Sequence, residues 1–118
     1  MGAVPLNHVA DLSQIAAAVR GNWFDLYATL ADPRHSEFCL RLYQARPTGS
    51  TGPRPAPTAD LLVRGVRNRS FDDPTIQWLM FRDISYDGAE RTVLITANPS
   101  TAISLHVAAI NVRLLERA

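Results

Sequence analysis

The sequence predicts an α+β fold, in which an antiparallel sheet of three to four strands carries an N-terminal and a C-terminal helix on one face. Apolar residues recur at spacings of three and four near both ends of the chain, as they do on amphipathic helices. Between these segments, residues 75–97 contain two apolar runs separated by Asp87-Gly88, which is typical of a β-hairpin.

Length and composition indicate a single globular domain. The chain has 118 residues, of which 47% are hydrophobic and 19% charged, so it can bury a core as one domain over 1–118. The formal net charge is +1, and the twelve basic and eleven acidic residues are mixed along the chain. This mixture disfavours nucleic-acid binding, which usually needs concentrated positive charge. No apolar run approaches the roughly 20 residues of a membrane-spanning helix.

The N-terminal helix is predicted over residues 8–31. Gly21-Asn22 interrupts its apolar stripe and bends the helix or splits it in two. Asp32-Pro33 ends the helix, because the residue before a proline is pushed out of the helical region. Phe24 lies opposite the stripe and suggests a second contact surface. The stripe itself consists of Leu12, Ile15, Ala16, Val19, Trp23, Leu26 and Leu30.

The next three segments predict a strand, a loop and a second strand. Residues 36–45 alternate between apolar and more polar positions, which predicts a strand with its Phe and Leu side chains facing inward. Residues 46–58 contain four prolines and two glycines and predict a mobile surface loop. Residues 59–69 fit either a short helix or a strand with a bulge at Gly65. The strand is favoured because the segment is short and the glycine lies in its interior.

The predicted hairpin contains a strand that is apolar on both faces. Its first strand, 75–84, has apolar residues at odd and at even positions, so this strand is central in the sheet or covered by a partner. The second strand is 91–97. The Asp87-Gly88 dipeptide between them accepts the positive φ values of a tight hairpin turn.

The C-terminal helix is predicted from Asn98-Pro99 to about residue 117, with two apolar stripes on roughly opposite sides. A helix that is apolar on two sides is buried on two sides. One stripe covers the sheet, and the other meets the N-terminal helix or another subunit. The interface residues predicted from this pattern are Leu105, Val112 and Leu115, together with Phe24.

The sequence contains no catalytic or metal-binding pattern. His8, His35 and His106 are the only histidines, and neither they nor the single cysteine, Cys39, are paired at metal-ligand spacing. No serine lies in a Gly-x-Ser-x-Gly context, and no lysine is present for Schiff-base chemistry. These observations favour a non-enzymatic role without a metal or cofactor. Because no basic leader precedes an apolar run, the sequence also predicts a cytoplasmic protein with a reduced thiol.

Two further groups of residues are candidate binding sites. Arg64, Arg67 and Arg69 lie close together in the sequence and predict an anion-binding site, the alternative being a solvated strand end. An apolar pocket between sheet and helices is the second candidate, the alternative being ordinary core packing. The residues predicted to line this pocket are Trp23, Trp78, Tyr43 and Met80.

The leading functional hypothesis is a non-enzymatic protein–protein interaction or assembly module. Bacterial or phage accessory proteins, chaperone-like proteins, immunity-like proteins and structural subunits belong to this class. Its mechanism is burial of the two-sided C-terminal helix against a second copy of the chain or another protein. The alternative hypothesis is a small-ligand-binding protein or small enzyme that uses the apolar pocket and an arginine contact to an anion.

Overall fold

The computed structural model describes residues 3–6, 12–31, 36–44, 56–72, 75–98 and 101–116. Within these ranges the chain forms nine strands and two short helices. In chain order they are β1 (Ala3–Leu6), α1 (Leu12–Val19), β2 (Trp23–Asp25), α2 (Leu26–Ala31), β3 (Glu37–Tyr43), β4 (Pro57–Arg64), β5 (Val66–Phe71), β6 (Trp78–Asp87), β7 (Thr92–Asn98), β8 (Thr101–Val107) and β9 (Val112–Glu116). The predicted α+β fold with three to four strands and two terminal helices is therefore wrong.

All nine strands belong to one antiparallel sheet, in the order β1-β9-β4-β3-β2-β6-β7-β8-β5. β4 and β5 are consecutive in the chain, separated only by Gly65, yet they lie far apart in this order. Gly65 has a φ of 71°, which turns the chain at this point. The Val66 amide then donates to the Ser36 carbonyl at 3.1 Å, so β5 begins beside the start of β3. The bent β4–β5 segment therefore pairs with β3 before the bend and with β8, near the far end of the strand order, after it.

The C-terminal segment is strand rather than helix. Ile103, Leu105 and Val107 of β8 are all fully buried at a spacing of two, which is the period of a strand. The same residues also fit helical spacing when they are combined with those of β9, which explains the prediction. Pairing decides between the two patterns. Val112 pairs with Val63 of β4, and Ile103 pairs with Ile95 of β7, so both segments are stabilised by sheet neighbours.

The predicted N-terminal helix is divided in two. α1 ends at Val19, and Gly21 follows it with a φ of 90°, a conformation that commonly ends helices. The chain then forms the three-residue strand β2 before α2 begins. Gly21-Asn22 thus marks the interruption, as the sequence indicated. Asp32-Pro33 lies outside the described residues.

Two predictions for the middle of the chain agree with the structure. Residues 59–69 are strand, with Gly65 at the bend between β4 and β5. The hairpin is confirmed, because β6 and β7 pair directly in antiparallel register. Its turn differs from the prediction, since the positive φ, 50°, occurs at Arg91. Of the predicted loop 46–58, residues 46–55 lie outside the described residues, and Pro57 already belongs to β4.

One buried apolar core lies on the inner face of the sheet. The side chains of Phe24, Phe38 and Phe81 are fully buried there. The buried face of α1, which includes Ile15 and Val19, packs against the same core. Strand β6 accounts for the two-sided apolar pattern, because Leu79 and Phe81 face this core while its alternate residues face outward. Two of these outward residues, Trp78 and Met80, belong to the candidate site.

Replacement of Gly65 tests the role of the bend. A Cβ at this position would meet only the Ala108 Cβ, at 3.9 Å, so Gly65→Ala adds backbone strain without a steric clash. We expect the free energy of unfolding to fall by about 1 kcal/mol, as measured by urea denaturation. Gly88→Ala is the matched control. Gly88 lacks a positive φ and has similar space, with Tyr86 Cε2 at 3.8 Å, so an equal loss in both variants would contradict this role.

Candidate functional site

Four large side chains lie together on the outer face of the sheet and form what we call the aromatic patch: Trp23, Tyr43, Trp78 and Met80. Trp23 of β2 lies directly between Tyr43 of β3 and Met80 of β6 in the sheet register. The rings of Tyr43 and Trp78 meet edge to face, with centroids 5.7 Å apart and an interplanar angle of 76°. All four side chains are half-buried.

The short strand β2 determines which way this patch faces. Its central residue, Phe24, is fully buried between Leu42 and Leu79, its partners in β3 and β6. Because successive side chains of a strand point to opposite faces, Trp23 and Asp25 must point outward. The same alternation places Tyr43 and Met80 outside, one residue along from these buried leucines. The patch thus lies on the outer face of the same three strands whose inner face buries Phe24 between two leucines.

Asp25 starts helix α2 and holds it beside the patch. Its Oδ1 accepts hydrogen bonds from the backbone amides of Tyr27 and Ala28, at 2.9 and 3.2 Å. Its Oδ2 accepts a bond from Gln77 Nε2 at 3.2 Å. These bonds are those of a helix N-cap, so this carboxylate has a structural role.

Helix α2 extends the apolar surface beyond the patch. The Tyr27 hydroxyl donates to the Thr75 carbonyl at 2.7 Å, which places this ring close to the start of β6. Tyr27 is 46% exposed and Leu30 is 41% exposed, and they are neighbours on one side of the helix. Both side chains therefore add exposed apolar area to the helix that lies beside the patch.

Two grooves border the patch. One, of about 450 Å³, lies between α2 and the outer face of β3, and Tyr43 forms one end of it. The other, of about 680 Å³, lies along β6 and β7 and reaches Met80. The first groove is lined by Asp25, Ala28, Thr29, Ala31, Cys39, Arg41 and Tyr43.

Charged side chains of both signs surround the patch. Arg41 Nε lies 3.1 Å from Asp60 Oδ1, and Asp60 is only 8% exposed, so this pair is partly shielded from solvent. On the opposite side, Arg20 lies 3.7 Å from Asp83, and both side chains are exposed. With Asp25 and Arg82, the charged residues that the structure describes around the patch are three arginines and three aspartates, whose charges balance.

The structure brings the four predicted pocket residues together, but outside rather than between sheet and helices. The predicted interface residues have a different location. Leu105, Val112 and Phe24 are fully buried within one chain, and Leu115 is half-buried on β9. The helix on which that interface depended is absent from residues 101–116, so its three buried members offer no surface to a partner.

The three predicted anion-binding arginines do not converge. Arg64 Nε pairs with Glu37 Oε2 at 3.0 Å. A terminal nitrogen of Arg69 donates to the Glu37 carbonyl at 2.9 Å, and its guanidinium lies 5.7 Å from the centroid of the Phe38 ring. Arg67 is exposed and lies at the register shift between Val66 and Asn68. These contacts give Arg64 and Arg69 structural roles at the junction of β3 and β5.

Comparison of the chain with protein-family models, curated proteins and solved structures gives no match. Among the described residues, no cluster of histidine, cysteine and carboxylate side chains could hold a metal ion. His8 and His35 lie outside the described ranges, and His106 is exposed on β8. None of the helices described is long and apolar enough to cross a membrane.

Truncation of Leu105 separates a core role from an interface role. Because its side chain is 0% exposed, Leu105→Ala is expected to lower the free energy of unfolding by about 2–5 kcal/mol. Leu94→Ala, the same change at a half-buried outward position of β7, is expected to cost about 1 kcal/mol or less. Urea denaturation measures both losses, and similar values would contradict the assignment of Leu105 to the core.

Proposed function

We propose that this protein is a protein–protein interaction module that associates with a second copy of itself through the aromatic patch. The observation that carries the proposal is the group of four large side chains on the outer face of the sheet, together with the neighbouring helix α2, which exposes Tyr27 and Leu30. This surface replaces the C-terminal helix as the contact region.

The composition of the surface supports this role. Tryptophan, tyrosine, methionine and arginine are the residues enriched at protein interfaces, and truncation of a central aromatic residue often removes much of the binding energy. Trp23, Tyr43, Trp78 and Met80 occupy the centre, while arginines and aspartates form the rim. An apolar centre inside a polar rim is the usual anatomy of such interfaces.

The charge of the rim favours a second copy as the partner. Three arginines and three aspartates give no net charge, so two identical surfaces meet without net repulsion. An isologous contact also places each apolar centre against another apolar centre. The formal net charge of the whole chain, +1, adds little long-range repulsion between copies.

Light scattering over a dilution series tests this proposal. The unsubstituted chain should form a dimer that dissociates on dilution, and Trp78→Ala should raise the dimer dissociation constant by about tenfold or more. Leu30→Glu should also raise the dimer dissociation constant. Because Leu30 is exposed, this substitution should leave the fold intact. Leu94→Ala, outside the patch, is the control and should leave the dimer unchanged. A monomer at every concentration, or a dimer insensitive to both Trp78→Ala and Leu30→Glu, would overturn the proposal.

Intrinsic fluorescence provides a second readout of the same contact. Trp23 and Trp78 are the only two tryptophans in the chain, and both belong to the patch. Dimer formation should remove water from their surroundings, so the emission maximum should shift to shorter wavelength as the protein concentration rises. If light scattering shows a dimer while the emission maximum stays constant, the contact lies elsewhere on the molecule.

A further inference from the structure

The groove of about 680 Å³ beside the patch has the features of an anion site. Between β6 and β7 the register shifts from Phe81 to Asp83, which marks a bulge. Arg82 and Asp83 are consequently both exposed, although they are adjacent in the strand. Bulges commonly redirect side chains in this way beside binding sites. The groove is lined by Arg20, Gly21, Met80, Phe81, Arg82, Asp83, Thr96 and Asn98.

The contacts of Arg20 hold its guanidinium at the edge of this groove. The Gly21 amide donates to the Phe81 carbonyl at 2.9 Å, and the Phe81 amide donates to the Asn22 carbonyl at 2.7 Å. These two bonds join the end of α1 to β6. Arg20 Nε then donates to the Arg82 carbonyl at 2.8 Å. Because this bond to the Arg82 backbone holds the guanidinium group in place, the Arg20 side chain loses little conformational freedom when an anion binds.

The charge within the groove is positive. The charged residues that line it are two arginines, Arg20 and Arg82, and one aspartate, Asp83. Asp83 Oδ1 accepts the Ile84 amide at 2.9 Å and lies 3.7 Å from a terminal nitrogen of Arg20, which is beyond hydrogen-bond distance. Among the described residues, the Arg82 guanidinium has no hydrogen-bond partner. It is therefore free to bind an oxyanion, which guanidinium groups contact in bidentate geometry.

The remaining lining extends the site beyond a simple ion. Thr96 and Asn98 contribute neutral hydrogen-bonding groups on β7. Met80 pairs with Asn98 on one side and with Trp23 on the other, so the groove continues into the aromatic patch. The groove is open to solvent, and its volume of about 680 Å³ leaves room for a ligand larger than an inorganic ion.

We infer that this groove binds an oxyanion, phosphate or carboxylate, attached to a flat apolar group. The anion lies against Arg20 and Arg82, and the apolar group lies on Met80 and Trp23. This ligand site overlaps the proposed dimer surface, since Arg20 and Arg82 belong to its rim and Met80 and Trp23 to its centre, but all of its residues come from one chain and it does not require a second copy.

Isothermal titration calorimetry with phenyl phosphate and benzoate tests the inference. At least one of these probes should bind, and more tightly than inorganic phosphate, because only the aromatic probes contact Met80 and Trp23. Arg82→Gln and Arg20→Gln should each weaken this binding by about tenfold or more, since each removes a charged hydrogen-bond donor. Arg67→Gln, at an exposed arginine of β5, is the matched control and should leave the affinity unchanged.

The outcomes distinguish the site from adventitious contact. Absence of binding by both aromatic probes, or binding unaffected by Arg82→Gln and Arg20→Gln, would overturn the inference. Inorganic phosphate binding as tightly as both aromatic probes would also overturn it, because the apolar part of the site would then contribute nothing. Because a second copy would cover Met80 and Trp23, the Leu30→Glu variant should bind the probes at least as tightly as the unsubstituted chain. Loss of the dimer with retained probe binding, or the reverse, therefore separates the two proposals.

Discussion

The bend at Gly65 is the constraint on which the rest of the structure depends. Strand β4 pairs with β3 and β9, whereas β5, one residue later, pairs with β8 at the far end of the strand order. A left-handed backbone conformation at Gly65 permits this change of partners within one continuous segment. The inner faces of all these strands can then share one core, and the outer faces become the surface available for binding. Arg69 and Glu37 reinforce the junction that the bend creates.

The candidate site follows from burial on the opposite face of the same strands. Phe24 is buried between two leucines on the inner face. Because neighbouring side chains in a strand point to opposite faces, Trp23 points outward. The patch is therefore rigid at its base, because its backbone belongs to the centre of the sheet. A rigid aromatic surface loses little side-chain entropy on association, which favours specific binding.

Local patterns predicted the parts of the fold that depend on near neighbours. The β6–β7 hairpin was predictable because its strands are adjacent in sequence. The C-terminal segment was not, because Ile103, Leu105 and Val107 fit both periods and only pairing with β5 and β7 selects the strand. The residue types of the aromatic patch were identified, but their location was not, since three-residue β2 has no periodic signal. The groove beside Arg20 and Arg82 could not be predicted, because these residues are 62 positions apart and no local pattern connects them.

The pairing of β9 with both β1 and β4 has a consequence for folding. Ala3 pairs with Leu115, and Leu61 pairs with Leu114, so contacts between distant parts of the chain complete the sheet. Loop closure over such distances is entropically costly and slows the search for the native state. During synthesis on a ribosome, β4 has no partner on one edge until β9 emerges. The apolar Leu61-Leu62-Val63 run is therefore open to pairing with other chains until β9 covers that edge of β4.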